Sequence, residues 1–296
     1  MIAGVDATQR DNLIGSLWMV AAMAGFSVED ALLKQAAVSL PLAQVMVLFG
    51  AGGAGLFALW AALTRARLIR PEILSASMRI RALFEICGRL FYTLAIVLTP
   101  LSSATAILQA TPIVVVAGAA LVFGEPVGWR RWTAIALGLS GVLIVLQPGG
   151  GSFTPLSILA VLGMLGFAGR DLASRAAPAA LSTPVLGVYG FLAIIVAGGL
   201  YAALWERAAF VWPTAGAATA LACAIGIGVF AYGALMRAMR TGEVSAVTPF
   251  RYTRLVFGVA LGVLWFGEAL APSMLLGCAL IVAAGLYILW RGQRRG

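Results

Sequence analysis

Arg251 and Arg254 stand one helical turn apart inside a long apolar run, directly after Thr248-Pro249. A guanidinium fork matches a carboxylate, so the pair reads as a carboxylate-binding site facing a cavity. The competing readings are a salt bridge to Glu85 or Asp171 across a helix bundle, or side chains reaching for an interface. Glu85 and Arg89 form a second buried pair at i,i+4 spacing. A lone charge at the centre of a membrane helix costs roughly 2.5–3.5 kcal/mol, and pairing reduces that cost. The pair is therefore either self-neutralising or, in a wet cavity, able to bind a zwitterion or titrate. Asp30 with Lys34 and Asp171 with Arg175 repeat the spacing, as helix-end pairs or as substrate contacts. Glu29 and Arg170 have no obvious local partner, and Glu29, Glu85 and Asp171 are the carboxylates able to carry a proton. Tyr92, Tyr232, Tyr252 and Phe250, with Trp18 and Phe26, offer ring faces to an aromatic or cationic group, or else pack the core. With Gln109, the candidate binding set is Trp18, Phe26, Glu85, Arg89, Tyr92, Gln109, Asp171, Tyr232, Arg251, Tyr252 and Arg254.

Other chemistry is excluded. Histidine is absent, which removes imidazole relays and His-based metal sites. Cys87, Cys223 and Cys278 lie far apart in apolar runs and read as small core hydrophobes, not disulfides or ligands. The eleven acidic residues are scattered, without the paired metal motifs or nucleophile–base pairs of a membrane-embedded transferase. No catalytic residue, metal or cofactor is expected. Gly50-Ala-Gly52-Gly-Ala-Gly55 matches a dinucleotide fingerprint by letter, but it lies mid-run in an apolar helix, where small residues permit close packing. Gly258-x3-Gly262 reads the same way, with a dimer face as the alternative to packing within a monomer.

The elements that position these residues follow from composition. Of 296 residues 62% are apolar and 10% charged, against roughly 25% charged in a soluble domain. The mean hydropathy is +1.01. So few charges cannot cover a water-exposed surface, and the chain is an integral membrane protein that contacts lipid. The net charge of +9 reflects arginines in short gaps between apolar runs, not a nucleic-acid surface. A spanning helix needs about 20 residues. The uncharged stretches Leu90–Gly124 and Trp132–Gly169 are too long for one span each and must turn, at Thr99-Pro100-Leu101-Ser102 and at Gln147-Pro148-Gly149-Gly150-Gly151-Ser152. Ten spans result: Leu13–Leu33, Leu42–Leu63, Ile80–Leu98, Ser103–Phe123, Trp129–Leu146, Leu156–Ala176, Val185–Trp205, Gly216–Met236, Val244–Phe266 and Met274–Trp290. The continuous apolar runs argue against a β-barrel. The first twelve residues are polar and no cleavable leader is expected. With an inside N-terminus, fourteen arginines fall on the cytoplasmic side and only Lys34 and Arg207 opposite, so both termini are expected in the cytoplasm. Trp129, Trp132, Trp205, Trp212 and Trp290 sit at span ends as interfacial anchors.

The chain also repeats itself. A shift of 143 aligns Ser102, Thr105, Leu121, Phe123, Gly124 and Glu125 with Ser245, Thr248, Leu264, Phe266, Gly267 and Glu268. A shift of 141 aligns Met23, Gly25, Phe26, Asp30 and Lys34 with Met164, Gly166, Phe167, Asp171 and Arg175. Each half, 1–150 and 151–296, then holds five spans. Five is odd, so the second half enters the membrane inverted, the arrangement of secondary transporters that alternate between two open forms around a shared site.

Ten spans, two five-span halves and the Gly-Glu after each half's fourth span resemble the EamA type of the drug/metabolite transporter superfamily, over nearly the whole chain. Within it the chain is most similar to bacterial inner-membrane exporters of amino acids and metabolites, including the aromatic amino-acid branch; riboflavin and S-adenosylmethionine carriers share the pattern. The resemblance implies an all-α membrane protein that exports amino acids by alternating access, with uptake of a vitamin or nucleotide-like metabolite as the other reading. Its partners would be a small-molecule substrate and lipid, and it would work as a monomer, with a dimer as the alternative.

Overall fold

The computed structural model describes residues 7–69, 71–124, 128–146, 155–175, 181–241 and 244–293. In chain order the helices are α1 (Ala7–Ala36), α2 (Leu42–Leu63), α3 (Ala76–Leu98), α4 (Leu101–Leu108), α5 (Thr111–Phe123), α6 (Trp129–Leu146), α7 (Ile158–Arg175), α8 (Thr183–Tyr201), α9 (Ala215–Thr241), α10 (Val244–Val247), α11 (Thr253–Phe266) and α12 (Pro272–Gln293). No strand occurs among the described residues. Since α4 and α5 continue one another, as do α10 and α11, the helices group into ten rods. Six helical stretches are long and apolar enough to cross a membrane: Gln9–Ala36, Leu42–Leu63, Leu101–Phe123, Pro155–Ala173, Thr183–Glu206 and Ala215–Thr241. Two apolar stretches are shorter, Trp132–Leu146 and Pro272–Ile288.

The rods expected over Ser103–Phe123 and Val244–Phe266 are both interrupted. The first breaks at Gln109–Ala110, the second in a 3-10 turn at Thr248–Tyr252. Proline is the cause in each. Pro112 has no N–H for the Leu108 carbonyl, and the Thr111 hydroxyl donates to that carbonyl instead, at 2.5 Å. Pro249 opens the 3-10 turn of the second rod. Gln109 Nε2 then donates to the Arg251 carbonyl at 3.0 Å, tying the two breaks together.

The repeated Gly-Glu has a mechanism. Gly124 and Gly267 end α5 and α11 in the left-handed region, at φ 68° and 65°, where a side chain would be strained. After α11 the Glu268 N–H returns to the Gly262 carbonyl at 3.0 Å, closing the cap. The Glu268 carboxylate then reaches α4, whose preceding residue, Pro100, offers no side-chain cap. It accepts from the Leu101 N–H at 2.6 Å, the Ser102 N–H at 3.0 Å and the Ser102 hydroxyl at 2.5 Å. α2 has the same need, since Pro41 caps nothing, and Glu206 meets it by accepting from the Leu42 and Ala43 N–H groups at 2.8 and 2.7 Å. Both helix starts are thus satisfied from far along the chain. Lys34 joins the first of these clasps, donating to the Ile96 and Thr99 carbonyls at 2.9 and 2.6 Å and standing 3.8 Å from Glu268. Glu125 and the turn at 147–152 lie outside the described residues.

The most extensive packing is between α1 and α9, α3 and α7, α2 and α8, and α6 and α12, followed by α4 and α11. Glycines set how close these rods come. On α2, Gly50 and Gly53 face Ile195 and Phe191 of α8, and Gly52 faces Ile225 of α9, as a packing role for that motif requires. Gly258 and Gly262 face Thr105, Glu268 and Ser102 within the same chain. The tightest crossing joins α3 and α7, where a Cβ on Gly166 would stand 2.5 Å from the Gly88 backbone. Gly166→Ala must push these rods apart and is expected to cost about 1–3 kcal/mol, read as an earlier unfolding midpoint in detergent. The cysteines are free, and Cys223, expected in the core, is exposed on α9. Trp129, Trp132, Trp205, Trp212 and Trp290 are all exposed at rod ends.

Candidate functional site

Where α1, α3, α7 and α11 meet, the structure gathers most of the charged side chains that the apolar runs contain. Glu29 and Asp30 come from α1, Arg81, Glu85 and Arg89 from α3, Arg170 and Asp171 from α7, and Arg251 and Arg254 from the broken rod. Glu29, Asp30 and Glu85 are 2–3% exposed. Charges so buried persist only if they answer one another.

Asp30 is the best-satisfied of them. Arg254 Nη2 donates to it at 2.6 Å and the Tyr92 hydroxyl at 2.9 Å. The Arg254 guanidinium lies over the rings of Phe26 and Tyr92, 5.2 and 5.5 Å from their centroids. The local pair of Asp30 with Lys34 therefore does not form. Lys34 turns instead to the carbonyls that end α3, which lack helical donors. Nor does Arg254 reach Glu85 or Asp171, the partners that sequence suggested for a bridge; its partner is Asp30.

Glu85 is a hub. Arg81 stands 3.6 Å from it, Arg89 3.4 Å and Arg170 3.3 Å. Arg170 also grips Asp171 with Nε at 3.0 Å and Nη2 at 2.8 Å. The ring of Phe167 stands between two of these cations, 4.8 Å from Arg170 and 5.7 Å from Arg89, with Tyr92 edge-on at 5.9 Å. The side chain of Arg175, the expected mate of Asp171, is outside the described residues. Arg251 makes no ion pair among the described residues, although Asp171 lies within its electrostatic reach. Five guanidiniums (Arg81, Arg89, Arg170, Arg251, Arg254) thus stand against four carboxylates (Glu29, Asp30, Glu85, Asp171).

A narrow cavity opens on the α1–α3 side of this cluster, toward α2 and α8. Its polar lining is Glu29, Asp30, Arg89, Tyr92 and Thr93, and its apolar wall includes Phe49 of α2 and Ile194 of α8. The space is about that of one water molecule.

Of the expected site residues, Phe26, Glu85, Arg89, Tyr92, Asp171 and Arg254 come together here, and Gln109 and Arg251 meet beside them. Tyr232 feels the charges of Glu85, Arg89 and Arg170 and packs edge-on against Phe57 at 5.5 Å. Two others lie apart. Trp18 carries Arg237 over its ring at 5.0 Å. The Tyr252 hydroxyl abuts Gly285 of α12 and has no hydrogen-bond partner among the described residues. Sequence reasoning assigned Phe167 no part in the site, offered Asp30 only as a helix-end pair or substrate contact with Lys34, and left Arg81 as a flanking cytoplasmic charge. A signal for Phe167 existed, since it is the repeat counterpart of Phe26 and both rings carry guanidiniums.

The arrangement holds no nucleophile with a base and, among the described residues, no cluster of metal-ligating side chains. It is a small charged pocket. Compared with known protein families, residues 13–147 and again 155–290 match the EamA-like transporter family. The chain belongs to that family. This EamA-like transporter is 30% identical to a riboflavin transporter of Rhizobium johnstonii over 302 residues, covering 96% of this chain and 93% of that one. It is 30% identical to a pseudopaline exporter of Pseudomonas aeruginosa over 278 residues, covering 91% and 94%. An S-adenosylmethionine uptake transporter of Rickettsia prowazekii is 22% identical over 215 residues, covering 73% and 72%. A crystal structure of another protein shares the fold at a TM-score of 0.61 and 20% identity, over 95% of this chain and 98% of that one. The EamA-like transporter is therefore a multi-pass membrane protein of the drug/metabolite transporter superfamily that carries a small molecule, not an enzyme.

Proposed function

We propose that this EamA-like transporter exports amino acids and related small metabolites across a bacterial inner membrane by alternating access. The observation that carries the reading is the buried cluster of guanidiniums and carboxylates beside the cavity, with Glu29, Asp30 and Arg89 lining it. A guanidinium buried beside such a cavity suits a ligand that brings a carboxylate. Phe26, Phe167 and Tyr92 add faces for an aromatic or cationic side group. Within this reading Glu85, Arg89, Tyr92, Asp171, Arg251 and Arg254 form the core of the site, with Trp18, Phe26, Gln109, Tyr232 and Tyr252 around it. Arginine placement supports cytoplasmic termini.

Alternating access rests on two inverted five-rod halves, 1–150 and 151–296. Several facts support that arrangement. The family matches each half separately. The described residues with positive φ fall into two pairs, Arg65 with Arg207 and Gly124 with Gly267, the second at the 143-residue shift and the first within one residue of it. If the first five rods exchange with the last five, the pairing of α1 with α9 becomes that of α7 with α3. The pairs α2 with α8, α6 with α12 and α4 with α11 map onto themselves. A two-fold axis in the membrane plane would produce that pattern. One copy suffices for such a pathway.

Reconstitution into liposomes with a panel of labelled amino acids tests the reading. Saturable, protein-dependent flux of at least one amino acid is expected, and imposed pH gradients will show whether protons drive it. The names of two relatives favour a second reading, uptake of a vitamin or nucleotide-like metabolite. Flux of riboflavin or S-adenosylmethionine with none for any amino acid would replace the first reading with the second.

A further inference from the structure

Glu29 differs from the other buried carboxylates. Asp30, Glu85 and Asp171 each accept at least one hydrogen bond, and the bonds to Asp30 and Asp171 are short. Glu29 accepts none among the described residues. Its ion-pair partner is Arg89, at 3.7 Å, beyond hydrogen-bond length. It lies 2% exposed, with its carboxylate against Gly228 of α9, where any Cβ would crowd it. A carboxylate this buried without a hydrogen bond is costly and rare. Arg89 is similarly underused. Of its five N–H donors, the described residues engage one, Nε, in a long 3.4 Å contact with Glu85. Both side chains line the cavity.

From this we infer that Glu29 and Arg89 are the specificity pair of the carrier and recognise an α-amino-acid head group by exchanging their own loose ion pair for two charge-assisted hydrogen bonds. The ligand carboxylate takes the Arg89 guanidinium, and its ammonium takes the Glu29 carboxylate. Each protein charge exchanges a long contact for a short one, and no net charge is added to the buried cluster. The present space holds about one water, so the ligand must widen the gap between α1, which carries Glu29, and α3, which carries Arg89. Recognition is thereby coupled to movement of the rods that line the pathway. The side group extends toward Phe49 and Ile194 on the apolar wall. This inference rests on the amino-acid reading above and adds to it which end of the ligand each residue reads.

The test uses the full chain in liposomes and three probes with one side group: L-phenylalanine, 3-phenylpropionate, which lacks the ammonium, and phenethylamine, which lacks the carboxylate. Wild type is expected to transport the amino acid at least tenfold faster than either analogue. Glu29→Gln removes the charge that the ammonium meets. It is expected to lower L-phenylalanine flux about tenfold or more and to bring 3-phenylpropionate level with it. Arg89→Gln should shift preference toward phenethylamine. Both variants are checked for folding by size-exclusion elution in detergent, and Glu29→Asp, which keeps the charge, should restore the wild-type order. If wild type carries L-phenylalanine but both Gln variants keep the wild-type order of probes, the specificity pair is wrong while amino-acid transport stands. Flux of no amino acid in the wider panel would overturn both.

Discussion

Arg254→Ala is expected to be the most damaging single substitution in the chain. It strips Asp30 of its 2.6 Å partner and leaves a carboxylate that is 3% exposed with only the Tyr92 hydroxyl. Breaking a buried pair from one side costs about 3–5 kcal/mol, because the remaining charge is left uncompensated. That corresponds to a drop on the order of 10 °C in the unfolding midpoint of the purified protein in detergent. Removing both partners should hurt less than removing one. Asp30→Ala combined with Arg254→Ala leaves neither charge behind, so its midpoint should lie above that of Arg254→Ala alone. A double variant as unstable as the sum of the two single ones would mean that the pair does not act as a unit.

Glu268→Ala is expected to have the second largest effect. The carboxylate serves two backbone N–H groups and one hydroxyl at the start of α4 and stands beside Lys34. Loss of a helix cap costs about 1 kcal/mol, and two uncapped amides with an orphaned hydroxyl bring the expectation to about 2 kcal/mol. The functional readout is access. Leu33 lines the cavity one residue before Lys34, and Leu33→Cys can be introduced after Cys87, Cys223 and Cys278 are replaced by serine. A membrane-impermeant thiol reagent applied from the Lys34 end should label it several-fold faster once Glu268 is alanine. Glu268→Gln keeps one acceptor and should fall between. Equal labelling in all three would show that this carboxylate does not hold that end closed.

The rods were largely legible in the sequence, because spanning length and turn residues are local properties. Leu42–Leu63 and Trp129–Leu146 coincide with α2 and α6 to the residue. The breaks at Gln109–Ala110 and Thr248–Tyr252 were less so. An apolar run looks the same on either side of a break, and at Pro112 the compensating bond comes from the Thr111 hydroxyl, which composition does not reveal. The site divided the same way. Sequence identified Glu85, Arg89, Asp171 and Arg254 as chemically active but could not pair them. Spacing along one helix shows only which residues share its face, whereas Asp30 chose Arg254 over Lys34 because of how α1 meets α11. Likewise Arg170 reaches Glu85 because α3 and α7 touch backbone to backbone at Gly88 and Gly166. Arg81 read as a flanking charge because α3 begins at Ala76, earlier than the apolar run that marks it.

The clasps at the starts of α2 and α4 share an asymmetry. Glu206 and Glu268 are both contributed late in the chain, and the four amides they hold all belong to its first half. Each clasp joins a different early helix, α2 or α4, to a late segment, so losing one loosens that end while the other still holds. Full separation of the early and late rods at this end therefore requires both carboxylates to let go of their amides.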